Sequence, residues 1–480
     1  MSAAALGLSS GCDSSSEQAA VDAAVAHPDA DGPDGLIDAA PPADASPPMP
    51  DASVDAAVPA NQLPRPRFPA SDTLEAPRDW QFARGLIHMH SIHSHDACDG
   101  DPKPDGVPDA VCLARLRAAI CTNQFDYLLL TDHPGTFAEI PFEEAFLHFE
   151  GDTWINGDDG PIGNEVRCPD GHTVLLAVGS EGDLTPVMFQ RKPDNALLRM
   201  ATPEGVAGLR AAGALVFQVH TENHSADTLQ PLGLDGIEIY NLHANLAPNG
   251  VLRQLAELLP DVVAMFQAGD AGPHPDLSFL AVFRANHLAL ATWDTLSGRG
   301  ERVLGFAGSD IHENLPLPLR PADGDRMDSY RRLSTWFSNY VLVHDRSWHG
   351  LRAGLEAQRV VVGFDLLGPP NGFDFYAESP NGAIVEMGSE GSFGLGWQLV
   401  ARMPSAPEEA PTEMVLYRID AQGTHEVLRT TEDINLPLEQ AGSYRVEVMQ
   451  TPTHLAPEMG AFEHFIRPTV WLYSNPVHLR

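Results

Sequence analysis

The chain has 480 residues, 43% of them hydrophobic, which is enough for two or three folded units with sizeable cores. Its formal net charge of −37 argues against nucleic acid as a partner and against anionic membranes bound through a basic patch. Part of that charge is local, because residues 1–75 hold 12 Asp and Glu against only Arg65 and Arg67.

No stretch approaches the ~20 apolar residues of a membrane-spanning helix. The apolar run Ala3 to Leu8 is followed by Ser9-Ser10-Gly11-Cys12. Small residues just before a cysteine resemble a bacterial lipoprotein signal, so residues 1–12 are read as its remnant. The expectation is an exported, cell-envelope or periplasmic protein attached to the membrane through lipidated Cys12. Residues 13–73, rich in Ala, Asp, Pro and Ser, hold too few apolar groups to offset their ordering entropy and read as a disordered tether. The remaining cysteines are Cys98, Cys112, Cys121 and Cys168, an even number that two disulfides would use in an exported protein. Cys98–Cys112 is the preferred pairing.

From Leu74 to about Gly368 short apolar runs alternate with stretches of helical composition. The runs are Gly85–His88, Asp126–Thr131, Thr173–Val178, Ala214–Val219, Gly236–Tyr240 and Val303–Ala307. Runs this short, rich in β-branched and aromatic residues, suit buried parallel strands. Leu113–Ile120, Pro203–Ala212 and Leu252–Leu259 read as intervening helices. The pattern predicts an α/β barrel over residues 74–368. Residues 369–480 change character: Trp397–Ala401, Met414–Arg418 and Tyr444–Val448 alternate with turn-rich linkers and predict an all-β sandwich-like domain.

The chemistry sits at the ends of the apolar runs. The first leads into His88-Met89-His90-Ser91-Ile92-His93-Ser94-His95-Asp96 and the second into Thr131-Asp132-His133. The third ends in Gly179-Ser180-Glu181, the fourth in His220, then Thr221-Glu222-Asn223-His224, and the last in Gly308-Ser309-Asp310-Ile311-His312. In a parallel barrel the strand C-termini converge on one face, so five strands would deliver imidazoles and carboxylates to one mouth. His88 and His90 are i and i+2, which on a strand point to the same side, and Asp310 and His312 repeat that spacing. Mixed N and O donors with no cysteine among them suit Zn, Mn, Fe or Ni. His93, His148, His243, His344 and His349 are read as surface or packing residues. The spaced aspartates of Asp99–Asp109 admit Ca²⁺ binding, although a solvated acidic loop closed by Cys98–Cys112 is the preferred reading.

Together these motifs, in this order, resemble the polymerase-and-histidinol-phosphatase (PHP) superfamily over about residues 80–365. The resemblance includes Leu351-Arg352-Ala353-Gly354-Leu355 as the closing helix. It implies a distorted seven-stranded α/β barrel with two or three divalent transition metal ions (Zn, Mn or Fe). It places His88, His90, Glu181 and Asp310 on one metal. Glu181 would bridge to a second shared with His220. A third would take His133 and His312 with either His95 or Asp96. Residues 182–219 contain no histidine, where several members carry another ligand; Glu222, Asn223 or His224 would have to compensate. Arg467–Pro476 looks like the tail of an exported branch of the family that includes a carbamate hydrolase.

The expected reaction is hydrolysis by a metal-bridged hydroxide, with His220 or His224 assisting proton transfer. Phosphoesters are the default small-molecule substrates; carboxylic esters, amides or carbamates are the alternative. Arg84, Arg302 and Arg352 are the nearest candidates to hold a phosphate. A surface-tethered, metal-loaded binding module without turnover is the remaining alternative. The oligomeric state is not legible.

Overall fold

The first strand of the barrel, β1 (Gln81–Met89), is buried from Phe82 onward, as a strand covered on both faces must be. The computed structural model describes residues 68–242, 260–269, 272–315, 323–407 and 409–480. Cys12, most of the expected tether, His243 and the expected helix Leu252–Leu259 lie outside the described residues. Among the described residues no helix is long and apolar enough to cross a membrane.

The strands that follow are β2 (Tyr127–Leu130), the hairpin β3 (Thr153–Gly157) and β4 (Gly160–Arg167), β5 (Thr173–Val178), β6 (Thr185–Val187), β7 (Leu215–Gln218), β8 (Gly236–Asn241), β9 (Leu304–Ile311), β10 (Ser338–Val343) and β11 (Val360–Gly363). β1 runs parallel to β2 and β9, β2 to β5, and β8 to both β7 and β9. The short β6 pairs antiparallel with β7, and the bonds Phe189 N to Val178 O and Ser180 N to Pro186 O tie its ends to β5, so the sheet closes. β10 pairs antiparallel with the first half of β1, and β4 with β5. The result is a mixed α/β architecture whose large sheet combines parallel and antiparallel strands.

The period of two shows in the core. Ile87, Leu129, Ala177, Phe217 and Phe306 share one buried cluster, while Leu86, Leu128, Leu130, Val178 and Val216 share a larger one with the helices. The helices start where capping residues stand. Asp109 accepts from the amides of Val111 and Cys112 at the head of Ala110–Thr122; Thr202 caps Pro203–Ala211, and Ser347 caps Trp348–Glu356.

The C-terminal residues form β12 (Asp374–Glu378), β13 (Ile384–Glu386), β14 (Glu390–Gly391), β15 (Gln398–Arg402), β16 (Thr412–Asp420), β17 (Gly423–Thr430), β18 (Ile434–Pro437), β19 (Gly442–Gln450), β20 (Thr469–Ser474) and β21 (Val477–Leu479). One four-stranded sheet runs β13-β12-β15-β18. β16, β17, β19, β20 and β21 pair antiparallel, and β20 also pairs with β11, so this group continues the large sheet. Arg445 on β19 pairs with Asp294 of helix His287–Gly298 at 2.8 Å. Disulfides join Cys98 to Cys112, the preferred pairing, and Cys121 to Cys168.

Candidate metal centre

Each motif stands where a strand ends. His88 lies in β1, His90 follows it, His133 and Glu181 follow β2 and β5, His220 follows β7, and Asp310 is the last residue but one of β9, before His312. The expected alternation along a strand is not how these side chains converge. His88, His220 and Asp310 all adopt left-handed backbone, with φ of 63°, 50° and 50°. The pairing of β1 with both β2 and β9 shifts register between Ile87 and Met89, around His88. A bulge of this kind re-aims a side chain at the cost of local strain, and such strain persists only where surrounding contacts hold it.

Glu181 is the hub. Its Oε1 lies 3.0 Å from His220 Nε2 and 3.4 Å from His88 Nε2. Its Oε2 lies 3.0 Å from His90 Nε2 and 3.4 Å from His133 Nδ1. Asp310 Oδ1 is 3.4 Å from the Nε2 atoms of both His88 and His90. Asp96 bridges the outer edge, 3.4 Å from His133 Nε2 and 3.4 Å from His312 Nε2. Three sets bring their donor atoms within 4.8 Å of one another: His88, Glu181, His220 and Asp310; His90, His133 and His312; and His95, Asp96 and His133. His220 thus shares a set with His88, Glu181 and Asp310, and His90, stacked on His312 at 3.8 Å, also lies 3.0 Å from Glu181. His95 and Asp96 both reach the outer set, His95 from an exposed position.

The hydrogen bonds behind the imidazoles decide which nitrogen faces the site. His88 Nδ1 lies 2.7 Å from Glu238 Oε1, a carboxylate that only accepts, so Nδ1 carries the hydrogen and Nε2 points inward. His90 Nδ1 lies 2.7 Å from Ser94 Oγ, which donates to Asp132 at 2.9 Å. His312 Nδ1 donates to the carbonyl of Asp310 at 3.1 Å. Asp132 also accepts from the amide and hydroxyl of Ser91, both at 2.7 Å, and so shapes the turn after β1.

Burial opposes charge on the imidazoles, but Glu238, Glu181 and Asp310 outweigh it and raise the His88 pKa well above the ordinary value. For His90 burial is outweighed by Asp310 and Glu181, raising it to about 9, and for His220 by Glu181 and Glu222, raising it to about 11. Burial would lift Glu181, yet His88, His220 and His90 hold it well below the usual carboxylate range. Burial, then the neighbouring His90, lowers His312 to about 4.

His88 Nε2, His90 Nε2, His312 Nε2, Glu181 Oε2 and Asp96 Oδ1 are buried without a hydrogen bond. Each such atom costs on the order of 1–3 kcal/mol unless something else satisfies it. Five of them in one cluster of imidazole and carboxylate donors fit divalent transition metals, which take these ligand types.

Three further residues support the site, and of these only Glu238 stands outside the motifs at the strand ends. Glu238, fully buried on β8, also accepts from the His220 amide at 2.8 Å and from Asn241 Nδ2 at 2.9 Å. A lone carboxylate inside the apolar run Gly236–Tyr240 was the available signal, since a buried carboxylate needs partners. Gly308 is glycine because a β-carbon there would stand 1.6 Å from Glu238 Oε1. Ser309 Oγ donates to the His88 carbonyl at 2.7 Å, locking β9 to β1 at the strained residue.

Other candidates lie outside the three sets. His224 belongs to none of the three sets, and burial lowers its pKa. Glu222 Oε1 lies 3.6 Å from His220 Nδ1, and its Oε2 accepts from Asn286. Asn223 is exposed. The three arginines expected near a phosphate are committed elsewhere. Arg84 is buried against Asp365 at 2.6 Å, Arg302 donates to the Gly388 carbonyl, and Arg352 donates to the Gly213 carbonyl and pairs with Glu356. In the acidic loop Asp99 pairs with Arg326 and Asp109 caps a helix, which accounts for two of the aspartates considered for Ca²⁺. His148 stacks on Trp154 and His344 on Trp80, His349 meets Trp348 edge-on, and His93 bonds the Glu144 carbonyl.

No family model matches the chain, and no curated protein matches it. Among solved structures it is similar to a two-domain protein from Bacteroides vulgatus containing a predicted PHP-like metal-dependent phosphoesterase, at 14% identity and a TM-score of 0.31, covering 86% of this chain and 99% of that one. It is also similar to PsfC from Pseudomonas syringae, at 14% identity and a TM-score of 0.30, covering 54% of this chain and 82% of that one.

Proposed function

We propose that this chain is a PHP-type metal-dependent hydrolase acting on phosphoesters, with two or three divalent transition metal ions in its centre. The observation that carries this reading is the cluster of five buried, unbonded donor atoms on His88, His90, Glu181, His312 and Asp96. In this reading His88, His90, Glu181, His220 and Asp310 hold the inner ions, and His133 and His312 hold the outer one with Asp96 or His95. Lewis acidity and activation of water near neutral pH are the chemistry such ions supply when bound. The chain's own part is orientation: Glu238 aims His88, Ser94 and Asp132 aim His90, and Ser309 holds the strained strand end. His220 and His224 are the proposed proton carriers. The mixed sheet is read as the distorted seven-stranded barrel of residues 74–368, and residues 369–480 as a sandwich-like domain. Export, with attachment through Cys12, belongs to the same proposal and is supported by the two disulfides, which persist in oxidising compartments.

A specific observation favours a second reading, hydrolysis of carboxylic esters, amides or carbamates. Arg84, Arg302 and Arg352 are bound elsewhere, so none of them is left to hold a phosphate. A panel of aryl phosphomonoesters, phosphodiesters, carboxylic esters and carbamates, offered to the full chain loaded with Zn, Mn or Fe, separates the two. Turnover of the phosphoesters that His88→Ala abolishes supports the first reading, and turnover confined to carbonyl substrates the second. Tight metal binding with no turnover of any of them would point to a binding module.

A further inference from the structure

The candidate ligands have two kinds of support. His88, Glu181, His220 and Asp310 stand at the ends of paired strands, backed by Glu238 and Ser309. Asp96 stands on the loop after β1, where no strand pairing holds it. That loop is pinned to the end of β9 by backbone bonds from Cys98 N to the His312 carbonyl at 3.0 Å and from Asp99 N to the Glu313 carbonyl at 3.1 Å. Asn314 Nδ2 adds a bond to the Asp96 carbonyl at 3.0 Å.

The pinned turn is strained. Cys98 and Asp99 both have left-handed backbone, with φ of 55° and 62°. For a residue with a β-carbon this costs roughly 1–2 kcal/mol each, so the turn needs outside restraint. The disulfide supplies it by tying Cys98 to fully buried Cys112 on helix Ala110–Thr122. One turn along that helix, Arg115 Nε donates to Glu313 at 2.6 Å, and Glu313 directly follows His312. The restraint therefore closes a ring: Asp96, Cys98, Cys112, Arg115, Glu313, His312, and across the site back to Asp96.

We infer that the Cys98–Cys112 disulfide is a positioning element for the outer half of the metal centre, holding Asp96 between His133 and His312. The inference rests on the metal-centre reading above. It assigns the disulfide a selective effect. Its loss weakens the outer site, built on Asp96, His133 and His312, and leaves the strand-borne inner site in place.

The test uses the full chain and Mn²⁺ or Zn²⁺ alone as the probe, with stoichiometry and affinity measured for the wild type, C98S/C112S, C121S/C168S, D96N and the triple variant D96N/C98S/C112S. The expected result is a 10- to 100-fold loss of affinity for one class of metal in C98S/C112S, with the other class unchanged, on the scale seen when a ligand's supporting partner is removed. D96N should show the same selective loss, and the triple variant should be no worse than D96N, because the two changes act through one carboxylate. C121S/C168S, which removes the other disulfide, should lower the unfolding midpoint yet keep every metal equivalent. If C98S/C112S fails to fold, C121S/C168S protein is folded first, its remaining disulfide is reduced with a phosphine, and the reductant is removed before titration. Wild-type stoichiometry and affinity after loss of Cys98–Cys112, or additive losses in the triple variant, would overturn the inference. A wild type that binds no metal would instead defeat the metal-centre reading, and the inference with it.

Discussion

Glu238 and His88 face each other across β8 and β1 at 2.7 Å, both fully buried, and the carboxylate spans to the His220 amide as well. One side chain thus orients two of the residues that the motifs bring together. Glu238→Gln keeps the shape but removes the acceptor-only character that fixes the His88 hydrogen on Nδ1. Metal affinity should fall about 10- to 100-fold while the far-ultraviolet circular dichroism stays that of the wild type. Titration of the variant with Mn²⁺ or Zn²⁺ checks this, and unchanged affinity would remove Glu238 from the account.

Gly308→Ala tests the same contact from the other side. The added β-carbon would stand 1.6 Å from Glu238 Oε1 and 2.9 Å from His88 Nδ1, with no room on either side. Overpacking of this kind typically costs about 1–3 kcal/mol. Denaturant unfolding should show a loss of that size, together with reduced metal content. A variant as stable and as metal-rich as the wild type would mean that the Glu238–His88 contact is not tight.

The two disulfides should stabilise to different extents. Cys121–Cys168 joins residues 47 apart and Cys98–Cys112 residues 14 apart. Loop-closure entropy then gives about 4 kcal/mol for the longer and about 3 kcal/mol for the shorter. Chemical unfolding of C121S/C168S and C98S/C112S in the absence of metal should rank them in that order. The reverse order would show that native-state contacts, not chain entropy, dominate.

The motif residues were legible because strand ends in a parallel sheet impose a pattern on the chain: a short apolar run, then a polar ligand. His88, His90, His133, Glu181, His220, Asp310 and His312 all announce themselves that way, and the structure brings them together. What supports them was less legible. Glu238 reads as one polar residue in a strand, and only the registers of β8 against β9 and of β9 against β1 put it behind His88. The bulge at His88 was equally hidden, since φ at a non-glycine residue is set by tertiary contacts rather than by local composition. The arginines misled because proximity in sequence does not give side-chain direction. Arg84 is only four residues before His88, yet it reaches toward Asp365 and the Asn123 carbonyl. The C-terminal strands were recognisable from their spacing, but not that β20 would pair with β11 and continue the large sheet.

Acid sensitivity should come in part from His478 on β21. It is fully buried, with Nδ1 2.7 Å from Ser443 Oγ, and burial, then Arg480 and Arg302, lower its pKa to about 3. An unfolded histidine titrates near 6.5, so between these values the unfolded chain takes up a proton that the folded chain refuses. The contribution is fully present above about pH 6.5 and is lost as pH falls toward the folded value, by up to roughly 1.4 kcal/mol per pH unit. Unfolding free energies of the wild type and His478→Asn at pH 6.5, 5.5 and 4.5 should converge as pH falls, because the variant lacks this slope. Parallel curves would show that His478 is not held neutral.

In the proposed function the strand-end histidines and carboxylates form a metal centre. Metal stoichiometry by plasma mass spectrometry on the full chain, beside the His88→Ala/His90→Ala variant, tests it most directly. The wild type should hold two or three equivalents of a divalent transition metal, and a variant that still folds should lose at least one. No tightly bound metal in the wild type after reloading with Zn, Mn or Fe would contradict it.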